Sequence, residues 1–169
     1  MPTLIKGKEV VADDWQVIAK DSNLDITVLR DNTKRLLPLQ LWLSLREHIV
    51  ADQDLLACTG VWLDSDEAPD ALAEDCALLP IIAINFPVFA DGRGYSYARV
   101  LRHQYDYNGE LRAIGDVLID QMHFYRRVGF DAYAVRDDID PARALEGLDD
   151  FSISYQAAED QTAPLFRRR

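Results

Sequence analysis

Residues 80–102, PIIAINFPVFADGRGYSYARVLR, decide how this chain folds. From Leu78 to Val88 there is no charge at all. Then Asp91-Gly92-Arg93-Gly94 leads into a stretch with Tyr95, Ala98, Leu101 and Tyr105 at helical spacing. A short uncharged run bounded by turn residues predicts a strand buried on both faces, and the stripe after it predicts an amphipathic helix. Strands that alternate with such helices pair in parallel, because each helix returns the chain to the same edge of the sheet.

The same unit recurs on both sides of this stretch. TGVWLDS predicts a strand and APDALAEDCALL a helix over 68–79. ELRAI predicts a strand, followed by a helix in DVLIDQMHFYRRV with Val117, Leu118, Gln121, Met122, Tyr125 and Val128 inward, closed at Gly129 with a left-handed cap. DAYAV is a further strand, DPARALEGL a short helix with Asp140 as N-cap and Pro141 at its first position, and FSISY a closing strand. Upstream, TLIKGKEVV reads as a hairpin around Gly7, WQVIA and DITVL as short strands, and Pro38 as the start of a helix reaching about Val50. Val61, Ile82, Ala113 and Ala134 fall near the strand centres. The expected class is α/β: a parallel sheet of βα units, half-barrel-like or a small open sheet, with an irregular N-terminal hairpin region. One domain is expected over 1–156, with strands and hairpin to residue 37 and the helix plus βα units over 38–156. Residues 157–169 lack periodicity and are expected to form a flexible tail.

Composition narrows the function classes. The net charge of −11 opposes binding along a nucleic-acid backbone. Asp54, Asp64 and Asn85 interrupt every stretch that approaches a membrane span, and MPTLIKGKEV has no apolar secretory core. Two cysteines, Cys58 and Cys76, suit a reducing compartment, so a cytoplasmic protein is expected. Charge is unevenly placed. Residues 51–80 hold eight acids and no lysine or arginine, a candidate docking face for a basic partner, whereas residues 90–130 hold six arginines against five acids.

In a parallel sheet every strand-to-helix loop emerges at the carboxyl edge, where α/β proteins place their ligands. Those loops carry Asp64, Ser65 and Asp66, then Asp91 to Gly94, then Gly115 and Asp116, then Arg136, Asp137 and Asp138. Gly92 and Gly94 ahead of a helix can offer bare amides to an anion, and Arg93 adds a planar fork that Asp91 and Asp116 would orient. The candidate ligand-binding set is therefore Asp91, Gly92, Arg93, Gly94, Gly115, Asp116 and Arg136. The same residues also fit a plain turn with Arg93 in a structural ion pair. The motif matches neither the dinucleotide fingerprint nor the P-loop. His48, His103 and His123 lack metal-ligand spacing, and there is no G-x-S-x-G or C-x-x-C. No metal and no cofactor is expected, and no catalytic residue is identified.

FPVFADGRGYSYARVLR, GELRAIGDVLIDQMHFYRRVGFDAYAV and DDFSISYQ, with weaker likeness in GVWL and LPLQLWL, resemble a bacterial family of uncharacterised proteins. Its label is that of an oxidoreductase involved in sulfite reduction. The resemblance runs from Pro38 to Gln156 and implies an association with sulfite reductase in assimilatory sulfate metabolism, without an established activity. No flavin, nicotinamide, haem or iron–sulfur signature accompanies the label. The expectation is an accessory protein acting through contacts with sulfite reductase or its electron donor. The alternative is a small enzyme or sensor that binds an oxyanion or a phosphorylated metabolite at the Asp91–Gly94 loop. Neither a nucleic acid nor a membrane is an expected partner.

Overall fold

A computed structural model describes residues 3–150, 154 and 156–168. The chain first forms the hairpin β1 (Thr3–Lys6) and β2 (Glu9–Ala12), turning at Gly7 with φ +59°. It continues through β3 (Gln16–Val17), a one-turn helix α1 (Ile26–Leu29), β4 (Arg35–Pro38), α2 (Leu39–Val50) and α3 (Gln53–Ala57). The regular units follow: β5 (Thr59–Leu63), β6 (Ile81–Phe86), α4 (Arg93–His103), β7 (Glu110–Gly115), α5 (Met122–Arg127), β8 (Ala132–Tyr133) and α6 (Pro141–Gly147).

Among the described residues these strands make one eight-stranded sheet in the order β2-β1-β8-β7-β6-β5-β4-β3. From β3 to β8 every neighbouring pair is parallel, and β1 joins β8 and β2 antiparallel. The sheet curls into a half-barrel, and chain reach explains why. Its two outer strands, β2 and β3, are separated in sequence only by Asp13–Trp15. Ala12 and Gln16 can then lie no more than about 15 Å apart, whereas the edges of a flat sheet of this width would be about 33 Å apart.

Alternation along the strands sorts the core by face. Val61, Leu63, Ile82, Ile84, Phe86, Leu111 and Ala113 pack with the helices on the outer face. Leu36, Trp62, Ile81, Ala83 and Ile114 form a smaller cluster on the other face, covered by Trp15 from the connecting segment. Buried beside it, Arg112 is only 1% exposed. Its guanidinium donates to Asp13 at 2.9 and 3.1 Å and to Glu110 at 2.8 Å, and Lys6 pairs with the other oxygen of Glu110 at 2.8 Å. The buried Arg112 is thus met by two carboxylates, with the exposed Lys6 ammonium closing on Glu110 from the surface, and the pair with Asp13 ties the segment joining the outer strands to the middle of the sheet.

The expected strands of the βα series appear, with Val61, Ile82 and Ala113 fully buried and Ala134 half-buried just past β8. Three expectations need correction. DITVL is the helix α1 rather than a strand, because the Asp25 carboxylate accepts the Thr27 amide at 2.9 Å and caps it. Residues 68–79 form a 3-10 turn (Pro69–Leu72) and successive hydrogen-bonded turns rather than a helix. Asp75, its side chain taken by the Trp42 indole N–H at 2.8 Å and Arg46 Nε at 2.7 Å, anchors that segment to α2. The helix expected after Asp116 is reduced to a 3-10 turn (Ile119–Gln121) leading into the six-residue α5. Gly129 closes it with φ +109°, as its position requires. The expected strand over 151–155 lies, Ser154 apart, outside the described residues. Beyond it, Gln156 O accepts from Arg127 at 2.8 Å, the Glu159 amide donates to Arg127 O at 3.1 Å, and a 3-10 turn follows at Leu165–Arg167. No helix among the described residues is long and apolar enough to cross a membrane.

Candidate functional site

The loops after β5, β6, β7 and β8 meet at the carboxyl edge of the parallel strands, and each residue singled out in the sequence sits there. Arg93 opens α4, and its guanidinium grips Asp91 with Nε at 3.0 Å and NH2 at 2.7 Å; NH2 also donates to Ser65 Oγ at 3.0 Å. The Arg93 amide adds a bond to the same Asp91 oxygen at 3.2 Å. The Asp91 carboxylate therefore occupies the place an external anion would take, facing both the helix-start amide and the arginine fork. That guanidinium holds the Asp91 carboxyl well below the usual carboxylate range, and the Arg93 pKa rises in turn.

The three glycines do different things. A Cβ at Gly92 would meet nothing nearer than a Tyr95 ring carbon at 3.8 Å. At Gly94 it would lie 2.6 Å from the Phe86 ring, so this glycine lets α4 settle directly on β6. Gly115 has φ +92°, and a Cβ there would lie 2.5 Å from both the Phe86 carbonyl oxygen and Asn85 Oδ1. It is a turn that only glycine makes comfortably.

Asp116 does not orient Arg93. One of its oxygens accepts from Arg136 NH1 at 3.0 Å and the other from the Phe89 amide at 2.9 Å. Arg136 also donates from Nε to Asp138 at 2.8 Å, and the two neighbouring carboxylates raise its pKa. The edge thus holds two charge pairs, Asp91–Arg93 and Asp116–Arg136, joined through the backbone of the intervening 87–92 loop. Arg136 also borders a cavity of about 280 Å³ with Thr3, Asp13 and Asp137.

Two members of the edge escape a sequence reading. Lys20, from the segment after β3, pairs with Asp64 at 2.8 Å and Asp66 at 3.2 Å, while Asn85 Nδ2 donates to Asp64 at 3.0 Å. Partial burial pushes the Asp64 carboxyl up, but the bonds from Lys20, Asn85 and the Ser65 amide outweigh it and leave the carboxyl below its ordinary value. A lone amide in the run PIIAINF was the available signal for Asn85; nothing local points to Lys20. These contacts also change the reading of the acidic segment 51–80. Asp64 and Asp66 are met by Lys20, Asp75 is buried against Trp42 and Arg46, Asp70 accepts from Tyr105 OH at 2.9 Å, and Asp52 caps α3. Much of its charge is engaged within the fold.

Next to the Asp116 pair the surface changes character. Val88, Phe89 and Phe124 are 57%, 52% and 57% exposed. Phe89, Tyr95, Asp120, Gln121, Phe124 and Val128 line an open groove of about 420 Å³ that is mostly apolar. Gln121 Nε2 donates to the Phe89 carbonyl at 3.2 Å while Asp116 receives its amide, so the Phe89 backbone is held from both sides. Behind the groove, Tyr95 stacks on Tyr125 with ring centroids 5.2 Å apart and packs on Phe86.

Among the described residues, no group of three or more histidine, cysteine, aspartate or glutamate side chains is placed to hold a metal ion. Residues 60–166 match a bacterial family described as "Bacterial protein of unknown function (DUF934)", and the chain belongs to that family. No curated protein matches the chain.

Proposed function

We propose that this member of the family is a cytoplasmic accessory protein of sulfite reduction that docks on sulfite reductase or its electron donor. The docking face is the one carrying Val88, Phe89 and Phe124. One observation carries the reading: Phe89 and Phe124, each more than half exposed, line a single apolar groove, and Val88, also more than half exposed, precedes Phe89 in the chain. Scattered exposed hydrophobics are ordinary, but a contiguous patch beside a groove is the pattern of a protein–protein contact. Because the Phe89 backbone is pinned by Asp116 and Gln121, the main chain that carries the ring has little left to order on binding. The sulfite side of the proposal rests on the sequence resemblance. The test is calorimetry of the purified protein with sulfite reductase and, separately, with its electron donor. Phe89→Ser is expected to weaken binding by at least about tenfold, the usual effect of truncating an anchor, with an unchanged circular dichroism spectrum. Binding by neither partner, or equal binding by the variant, contradicts the proposal.

A second reading has one observation in its favour. Arg93 is 56% exposed at its side chain, and its NH1 has no hydrogen-bond partner among the described residues. A small oxyanion such as sulfite, or the phosphate of a metabolite, would reach that nitrogen from solvent. Calorimetry with sulfite, sulfate and phosphate tests it; heat that disappears in Arg93→Ala supports this reading, and no heat with the wild type ends it.

A further inference from the structure

We infer that the groove beside Phe89 receives a basic side chain, arginine or lysine, presented by the partner protein. This inference rests on the docking reading and adds what the partner must offer. The groove walls are three aromatic rings, Phe89, Tyr95 and Phe124, with Val128, and its polar groups are Gln121 and Asp120. Gln121 is already engaged, donating to the Phe89 carbonyl and accepting from Tyr125 OH at 3.0 Å. Asp120 is exposed, and no hydrogen bond or ion pair holds its carboxylate among the described residues. Among the described residues no lysine or arginine lines the groove to neutralise it.

Aromatic faces carry negative charge density and attract a cation held over them, and a carboxylate at the rim adds a full charge of the same sign. A purely apolar tip would instead cover the groove while stripping water from an unpaired carboxylate, which is costly. An acidic tip would be repelled by Asp120 and by a chain of net charge −11. The long apolar stem of arginine or lysine suits the ring walls and its charged head suits Asp120. Tyr95 is fixed from behind by Tyr125 and Phe86, so this wall is formed before binding.

Two measurements on the full chain decide the matter. The first is a nuclear magnetic resonance titration with N-acetylarginine amide, N-acetylleucine amide and N-acetylglutamate amide. The arginine derivative is expected to shift the Phe89, Asp120 and Phe124 amides at millimolar concentration, and to lose that effect in Asp120→Asn. Equal shifts by the leucine derivative, or none by arginine, overturn the inference. The second is calorimetry of Asp120→Asn with whichever of sulfite reductase or its electron donor binds. Affinity is expected to fall about tenfold at low salt, and the gap to the wild type to narrow as salt rises. Loss of binding in Phe89→Ser but not in Asp120→Asn sinks the cationic occupant and leaves the docking face standing. If neither partner binds, the docking reading falls, and a negative titration then removes the groove's cation preference too.

Discussion

Asp116 accepts the Phe89 backbone amide at 2.9 Å. Its other oxygen holds Arg136 at 3.0 Å, so one carboxylate joins the charged edge of the sheet to the apolar face beside it. Residues far apart in character are thereby made one surface. The loop that carries Val88 and Phe89 is braced by the charge pair that follows β7 and β8.

That brace predicts a separable effect. In Asp116→Ala the Phe89 amide should exchange with solvent markedly faster, and partner affinity should fall by about threefold or more as the loop loses its order. The melting temperature should move by no more than about 3 °C, because surface pairs contribute at most about 1 kcal/mol. A large drop in melting temperature would show the pair to be a structural strut.

How much of this was legible in the sequence varies by element. The strands β5, β6 and β8 were readable because each is a short apolar run followed by a turn and then a helix or helical turn, and β7, despite Glu110 and Arg112, because Leu111, Ala113 and Ile114 precede the turn at Gly115. β4 was not, since RLLP is buried along its whole length but begins with Arg35 and ends with Pro38, which reads as a helix start. DITVL looks like a strand from its branched residues, and the local bond from Asp25 reverses that preference. For the site, strand order placed Asp91, Arg93, Asp116 and Arg136 at one edge, but which arginine Asp116 holds depends on the spacing of β7 and β8. Lys20 reaches Asp64 across 44 residues of sequence, and no local pattern encodes such a contact.

The buried charges of the half-barrel predict a large stability effect. Asp13→Ala leaves one end of a guanidinium that is 1% exposed without its partner. The expected loss is about 3–5 kcal/mol, read from the urea midpoint at unchanged slope. A loss under about 1 kcal/mol would mean that water reaches Arg112 and that Asp13 does not fasten the segment between the outer strands.

The two loop glycines should separate cleanly. Gly92→Ala is expected to change stability by less than about 0.5 kcal/mol, since its Cβ enters open space. Gly94→Ala forces a methyl into the Phe86 ring, itself wedged among Tyr95, Tyr125 and Phe130, and should cost about 1–3 kcal/mol despite alanine's better helix propensity. Thermal melts of both variants check this, and equal melts would contradict the close packing of α4 on β6.

The Lys20–Asp64 pair carries a pH signature. The lowered Asp64 pKa contributes stability that is present above the unfolded carboxyl value of about 3.9 and lost as pH falls through the folded value. The raised Lys20 pKa contributes stability present below about 10.4 and lost only at higher pH. Lys20→Met should therefore be less stable than the wild type between about pH 5 and 9, by under about 1 kcal/mol for so exposed a pair. The difference should shrink in acid, and the Asp64 carboxyl carbon resonance should titrate at higher pH in the variant. A difference that persists undiminished as pH falls to about 2 would show that Lys20 acts by packing and not by charge.

If a partner protein sits on the face around Phe89, amide hydrogen exchange of the complex with sulfite reductase or its electron donor will locate it there. New protection is expected at residues 87–92 and 119–128 alone, with the acidic segment 51–80 unchanged. Protection centred on residues 51–80, with the amides of Val88, Phe89 and Phe124 exchanging as in the free protein, would contradict it.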